Sequence, residues 1–216
     1  MEPVGRTAYR RSRLRLIEAL RTGGITDLAV LHAFDTVPRH LFVPEAVRHR
    51  AYEDVALPLG HGQTISRAGV HALHLQLAAL DGTERVLEIG TGSGFQTALL
   101  SQLAAEVYSI EVVPEIASLA AASLADFRLS NVQLRTGDGS VGWPEHAPYD
   151  RILVGAAAPE VPEALLDQLA SEGRMLIPIG DAQGQQLSLV IGRQDGFEIT
   201  TVEDSHFVPL VGDGGW

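Results

Sequence analysis

From residue 84 onward, short apolar runs alternate with longer stretches whose apolar residues recur at helical spacing. Residues 86–89, 107–110, 132–136 and 149–154 have the length and β-branched content of strands, and each is followed by room for a helix or a connecting turn. Four such β–α units over about 84–170 predict a parallel sheet covered on both faces. A fifth strand is expected at 174–178. Two longer runs, 186–193 and 197–208, flank Asp195-Gly196 and read as a hairpin that adds antiparallel edge strands. Upstream, helices are expected at about 7–22, 26–35 and 69–80. Between the second and third lies an irregular stretch holding Val37-Pro38-Arg39 and Leu57-Pro58-Leu59-Gly60-His61-Gly62-Gln63-Thr64-Ile65-Ser66. The expected fold is therefore α/β and doubly wound, Rossmann-like and mostly parallel, with an N-terminal helical extension. It forms one domain over 1–216, divided into 1–80 and 81–216.

The first strand ends in Glu88 and breaks into Gly90-x-Gly92-x-Gly94 ahead of an apolar segment at 95–103. Glycines at a strand-to-helix turn let a ligand approach the backbone at the strand's carboxyl end. A dinucleotide fingerprint would put its third glycine where Phe95 stands. Glu88 would also oppose a pyrophosphate but suits a cationic ligand, which favours S-adenosylmethionine over NAD. The second strand ends at Glu111, where a carboxylate can grip a ribose diol. The third ends in Gly137-Asp138-Gly139, a turn suited to an adenine edge, and the fourth in Gly155-Ala156-Ala157-Ala158. Each of these acids taken alone could be an ordinary cap or turn residue. Three successive strand ends of this kind point to a cofactor.

Composition narrows the function classes. The 216 residues carry a formal net charge of −11, which opposes binding to a phosphate backbone. One basic run interrupts this, Arg6, Arg10, Arg11, Arg13, Arg15 and Arg21, and it reads as the solvated face of a helix whose apolar side is Leu14, Ile17 and Leu20. A single aromatic residue, Tyr9, falls within it, which is little for base stacking. The chain has no cysteine, which removes disulfides, thiolate metal sites and cysteine nucleophiles and is compatible with a cytoplasmic location. No run has the length of a membrane span, and the start lacks a secretory apolar core. A monomer that binds neither nucleic acid nor membrane is expected. His71 and His74 lie one turn apart on a predicted helix, but no third ligand stands at a matching spacing, so no metal site is expected.

The segment Gly60 to Ser66 is polar, glycine-punctuated and ends in hydroxyls just ahead of a helix. Ser66 can serve as that helix's N-cap, yet the loop is longer than a cap requires. These residues, with Val37-Pro38-Arg39, Phe42-Val43-Pro44, Ala51-Tyr52, 86–94, Gly137-Asp138-Gly139, Ala147-Pro148, Pro178-Ile179-Gly180 and Phe207-Val208-Pro209-Leu210, resemble the protein-L-isoaspartate O-methyltransferase family, in order and over nearly the whole chain. Gly62-Gln63-Thr64-Ile65-Ser66 is highly specific to that family, whereas the glycine turn is shared by most class I methyltransferases.

The resemblance implies transfer of a methyl group from S-adenosylmethionine to the α-carboxylate of L-isoaspartyl residues in damaged peptides and proteins, followed by closure to a succinimide. It implies Ser66 as the active-site hydroxyl with Thr64 near the methyl donor. Gly90, Thr91, Gly92, Ser93 and Gly94 would lie under the methionine part, joined by Glu88. Glu111 with Val112 would meet the ribose, and Asp138 with Gly139 the adenine side. A carboxylate is ionised at neutral pH, so such a reaction needs alignment and exclusion of water rather than a general base. Bacterial members usually continue Gln-Pro-Tyr after the serine, whereas this chain has Arg67-Ala68-Gly69; Gly155 stands where a threonine is common. Two other readings share the fold: a methyltransferase for a different peptide carboxylate, and a binding module without turnover.

Overall fold

The computed structural model describes residues 9–216; Arg6 of the basic run, and the start of the first predicted helix, lie outside them. Two helices open the described chain, α1 (Arg10–Thr22) and α2 (Leu28–Thr36). Asp27 caps α2 by accepting hydrogen bonds from the N–H groups of Ala29 and Val30, satisfying two first-turn donors. Two 3₁₀ turns (Arg39–Phe42 and Glu45–Arg50) lead into a small antiparallel hairpin, β1 (Leu57–Gly60) and β2 (Gln63–Ile65), and then α3 (Ala68–Ala78). The hairpin was not expected from the irregular sequence. His61 and Gly62 both take positive φ, +51° and +74°, the turn geometry that matches the twist of a two-residue hairpin.

The main sheet follows as β3 (Arg85–Ile89), β4 (Glu106–Glu111), β5 (Val132–Thr136), β6 (Tyr149–Val154), β7 (Leu169–Asp181), β8 (Gly184–Arg193) and β9 (Gly196–Ser205), in the order β5-β4-β3-β6-β7-β8-β9. The first five strands are parallel and the last two antiparallel, the expected doubly wound, Rossmann-like arrangement with antiparallel edge strands. Helices α4 (Phe95–Leu100), α5 (Pro114–Ala125) and α6 (Glu163–Leu166) connect them. Between β5 and β6 the described chain makes only a 3₁₀ turn (Pro144–His146), so that crossover carries no α-helix.

Alternation along the strands splits the core between the two faces. Val86, Val107, Leu153, Leu176 and Leu187 join the cluster formed with α1–α5, while Leu87, Ile89, Tyr108, Ile110, Ile152 and Met175 join a second cluster on the opposite face. The first cluster runs without a break from Leu16 and Leu20 of α1 to Phe95 and Leu99 of α4. On α1 itself Leu16 and Leu20 are buried, whereas Leu14, expected to be buried, is exposed. Arg10, Arg11, Arg15 and Arg21 are solvated as expected, but Arg13 is buried and pairs with Asp35 at 3.1 Å. Strand order reverses beside β3, whose neighbours are β4 on one side and β6 on the other. Carboxyl ends of strands at such a switch point leave a crevice.

Candidate active site

A cleft occupies that crevice, and one of its walls is mostly backbone. After Ile89 the chain turns through Gly90, Gly92 and Gly94, all with positive φ (+90°, +55° and +82°), values open to glycine at little steric cost. The N–H groups of Gly90 and Thr91 donate to the Ile110 carbonyl at 2.8 and 3.2 Å, which ties the turn to β4. Gly90, Thr91, Gly92, Ser93, Glu111, Val112 and Gly139 line the cleft. The carboxylate of Glu111 accepts from the N–H of Gly92 at 2.9 Å and from that of Val113 at 3.0 Å. Two backbone donors thereby fix it at the end of β4. Gly94 does not line the cleft; a Cβ there would lie 3.1 Å from the Leu124 side chain, so this glycine serves helix packing.

Side chains make the other wall. Thr64 and Ser66 line the cleft from β2 and the turn that follows, with His71 and His74 of α3 and residues Phe207 to Val211 beyond β9. Arg39, 1% exposed, holds this wall in place. Its Nε donates to the Ala51 carbonyl at 2.9 Å and its Nη2 to the Ser66 carbonyl at 2.8 Å, and its guanidinium lies 4.8 Å from the Phe95 ring centroid. Burial pulls its pKa down to about 10, against the opposing pull of Asp54, so it stays charged at neutral pH. His71 Nδ1 pairs with Gln96 Oε1 at 2.8 Å, and the His74 ring stacks on Phe207 at 5.6 Å between centroids. Burial lowers the His71 pKa to about 3 and the His74 pKa to about 4, so both imidazoles are neutral at pH 7. Neither Nε2 has a hydrogen-bond partner among the described residues.

Besides that of Gly94, three sequence expectations need correction. Glu88 does not reach the cleft. It is fully buried behind the glycine turn, accepting from Gln96 Nε2 at 3.1 Å and from the hydroxyls of Thr97 and Ser109 at 2.6 Å each. Burial raises its pKa to about 7, only partly offset by those hydrogen bonds. Asp138 also faces away: its carboxylate accepts from the Ser140 N–H and hydroxyl and from the Asp213 N–H, pinning the C-terminal segment. Gly139, its neighbour, is the residue that lines the cleft. Ser66 is not the cap of α3. Arg67 occupies that position without a side-chain bond, and Asp54 supplies the acceptor by taking the Gly69 N–H at 2.7 Å. A Cβ at Gly69 would lie 2.9 Å from the Asp54 carboxylate, which accounts for the glycine there.

His71, His74, Gln96 and the segment from Phe207 to Val211 are cleft residues that sequence patterns did not single out as site residues. No group of three or more His, Asp or Glu side chains among the described residues is placed to hold a metal. No helix among them is long and apolar enough to cross a membrane.

The profile of protein-L-isoaspartate(D-aspartate) O-methyltransferases matches residues 11–215. The chain is 54% identical over 203 residues to protein-L-isoaspartate O-methyltransferase 1 of Anaeromyxobacter sp. (strain Fw109-5), covering 93% of this chain and 96% of that one. It belongs to the protein-L-isoaspartate O-methyltransferase family. A second relative in this family, from Marinobacter nauticus, is 47% identical and covers 98% of the chain and 96% of its own length. Among solved structures, a protein-L-isoaspartate O-methyltransferase superposes with a TM-score of 0.85 at 29% identity, covering 94% of this chain and 67% of that one. A Plasmodium falciparum beta-aspartate methyltransferase in complex with S-adenosyl-L-homocysteine gives 0.80 at 26%, covering 91% and 97%. Family membership makes this chain an enzyme that methylates L-isoaspartyl residues of peptides and proteins with S-adenosylmethionine, the step that begins their repair.

The chain's own residues fit that cofactor. The turn through Gly90 and Gly92 has no side chain to fill the space above it, and a fixed carboxylate, Glu111, closes one end. Ile89, Ile110 and Val112 supply apolar surface between them.

Proposed function

We propose that Thr64 and Ser66 seat the isoaspartyl α-carboxylate against a methyl donor held by the glycine-turn wall. In this reading Gly90, Thr91, Gly92 and Ser93 receive the methionine part, Glu111 with Val112 the ribose, and Gly139 with the neighbouring apolar side chains the adenine. Glu88 and Gly94 act from behind, the first as a buried polar anchor and the second as a packing residue. When bound, S-adenosylmethionine would supply an electrophilic methyl carbon: a carboxylate oxygen bonds to that carbon while the C–S bond breaks, and the sulfur leaves with the bonding pair as a neutral thioether.

No proton has to move in that exchange, because the carboxylate is ionised well below neutral pH. The protein's work is alignment and removal of water. A hydroxyl at Ser66 orients the carboxylate without adding charge, and Arg39, through the Ser66 carbonyl, fixes where that hydroxyl stands. The observation that carries the reading is the placement of Thr64 and Ser66 in one cleft with the glycine turn and Glu111. The two sequence segments, 1–80 and 81–216, act as one domain, supported by the apolar cluster that they share. The same reading has the enzyme working as a cytoplasmic monomer on isoaspartyl peptides and proteins, with neither nucleic acid nor membrane as partner; the net charge of −11 supports the former exclusion.

Methyl transfer from labelled S-adenosylmethionine to peptides that differ only in L-isoaspartate or L-aspartate tests it. Ser66→Ala is expected to lower kcat on the isoaspartyl peptide by roughly ten- to a hundredfold, the cost of a misaligned nucleophile. S-adenosylmethionine affinity by calorimetry should stay within about twofold. Unchanged turnover in Ser66→Ala would move the seat of the carboxylate elsewhere.

A further inference from the structure

A second cavity opens from the first on the side away from the glycine turn. It shares Thr64, Ser66, Val70, His74 and Phe207 with the cleft, so the two meet at the hydroxyls read as the seat of the reacting carboxylate. Its remaining polar lining is Arg67 from the start of α3, and Glu203, Asp204, Ser205 and His206 from the end of β9. Glu203 stands opposite Leu187 across the β8–β9 pair, and both line the cavity. Directly opposed residues of an antiparallel pair project to one sheet face.

Arg67, Glu203 and Asp204 are exposed, and none forms an ion pair among the described residues. Deeper in, His74 is 2% exposed, and its Nε2 and the buried Ser205 hydroxyl have no protein partner among the described residues. Buried polar groups are nearly always hydrogen-bonded, so two orphans in one cavity point to a polar occupant.

An isoaspartyl peptide has the right shape for such a pair of cavities. Its reacting carboxylate must enter at Ser66, and its chain must leave on both sides of that point. Arg67 directly follows Ser66 and is the cation nearest in sequence to the incoming α-carboxylate, which offsets its charge. Glu203 is then the uncompensated carboxylate that the strand register turns towards the cavity, and Asp204, the next residue along β9 and so on the other face, adds its charge at the rim. We propose that this second cavity seats a residue flanking the isoaspartate, and that Glu203 and Asp204 make it select a cationic side chain over an anionic one. Opposite charges at a solvated rim attract modestly, and like charges placed there repel. The inference rests on Ser66 marking the seat of the carboxylate.

The test is a set of isoaspartyl peptides, identical except for Lys, Gln or Glu at the residue on each side of a single L-isoaspartate. The wild-type enzyme is expected to show a Lys-to-Glu ratio in kcat/KM of roughly five- to tenfold at one of the two positions, the size of one or two exposed charge contacts. Glu203→Gln/Asp204→Asn should bring that ratio below about twofold, and added salt should reduce it in the wild type. A control with the same change in net charge, Asp126→Asn/Asp195→Asn, alters exposed acids at the end of α5 and in the β8–β9 turn and should keep the wild-type ratio.

Equal use of Lys and Glu peptides by the wild type would overturn the inference. So would a ratio that falls equally in both double variants, because the effect would then belong to overall charge. Loss of S-adenosylmethionine binding in Glu203→Gln/Asp204→Asn would overturn it too, by placing these residues on the cofactor side. Ser66→Ala on the Gln peptide separates the two levels. Full activity there removes the site reading itself, whereas impaired activity with no flank discrimination in the wild type removes only the charge selection.

Discussion

The two walls of the cleft are held in place by different means. On the glycine-turn side, backbone does the holding: the N–H groups of Gly90 and Thr91 meet the Ile110 carbonyl, and those of Gly92 and Val113 hold the Glu111 carboxylate. On the opposite side one buried side chain, Arg39, reaches two carbonyls distant in sequence, Ala51 and Ser66, while leaning on Phe95 at the start of α4, the helix that follows the glycine turn. A wall made of adjacent strand ends inherits its position from the sheet. A wall made of a hairpin, a helix and a C-terminal segment has no such template and depends on a few long-range contacts. The difference teaches where each kind of damage should appear: in cofactor binding for the first wall, in turnover for the second.

Gly90→Val breaks the first wall and has the largest expected effect. A β-branched residue at φ +90° is strained, and its side chain would press on the backbone of Gly155, 3.8 Å from the added Cβ and itself part of the cleft lining. S-adenosylmethionine affinity should fall by roughly a hundredfold, about 2.7 kcal/mol by calorimetry. Arg39→Met breaks the second. It leaves the Ala51 and Ser66 carbonyls without their charged donor, at about 2–4 kcal/mol of stability in urea unfolding. It should also lower kcat by roughly tenfold while cofactor affinity changes by less than about threefold. A loss of affinity as large as the loss of kcat would mean that the walls are not separable.

His74→Leu sharpens the comparison with the smallest effect, read through pH. The His74 pKa is about 4 when folded against an ordinary 6.5, held down by burial. Below 6.5 the unfolded chain takes up a proton that the folded one refuses, so this histidine's stabilisation is present above pH 6.5 and is lost as the pH falls towards 4. Leucine at this position should therefore recover about 2 kcal/mol at pH 5 relative to pH 7.5. His71, held down to about 3 by burial and by the nearby Arg39 charge, keeps part of the acid sensitivity in that variant. Glu88, raised to about 7, acts with the opposite sign, since its buried carboxyl favours the folded state most below pH 4.5. An acid limb unchanged in His74→Leu would show that His74 is not buried as a neutral ring.

Regular alternation made the sheet legible. Strands such as Tyr149–Val154 follow from apolar runs, and so does the glycine turn that opens the cleft. The β8–β9 hairpin is also present, but its turn falls one residue earlier than Asp195-Gly196, at Gln194-Asp195, with Gly196 pairing with Arg193 as the first residue of β9. The β1–β2 hairpin was hidden because its short strands contain Pro58 and Gly60 and its turn places His61, a non-glycine residue, at positive φ. Glu88 was misplaced for a plainer reason. Position at a strand end says that a side chain is near the crevice but not which way it faces. The hydroxyls of Thr97 and Ser109 and the amide of Gln96, from two other elements, draw this one inward.

Asp138 belongs with Glu88, since the partner that turns it away from the cleft, the Asp213 N–H, lies 75 residues further along. Local sequence by itself determined the chain order of the main-sheet strands, the glycine turn and the polar character of the segment ending in Ser66, because propensity and periodicity act over a few residues. Only the tertiary structure decided which acids face the cleft, that Arg39 anchors Ser66, and that the segment after β9 closes the second wall. Those outcomes depend on which distant groups can satisfy a buried charge or an open carbonyl, and local pattern carries no record of them.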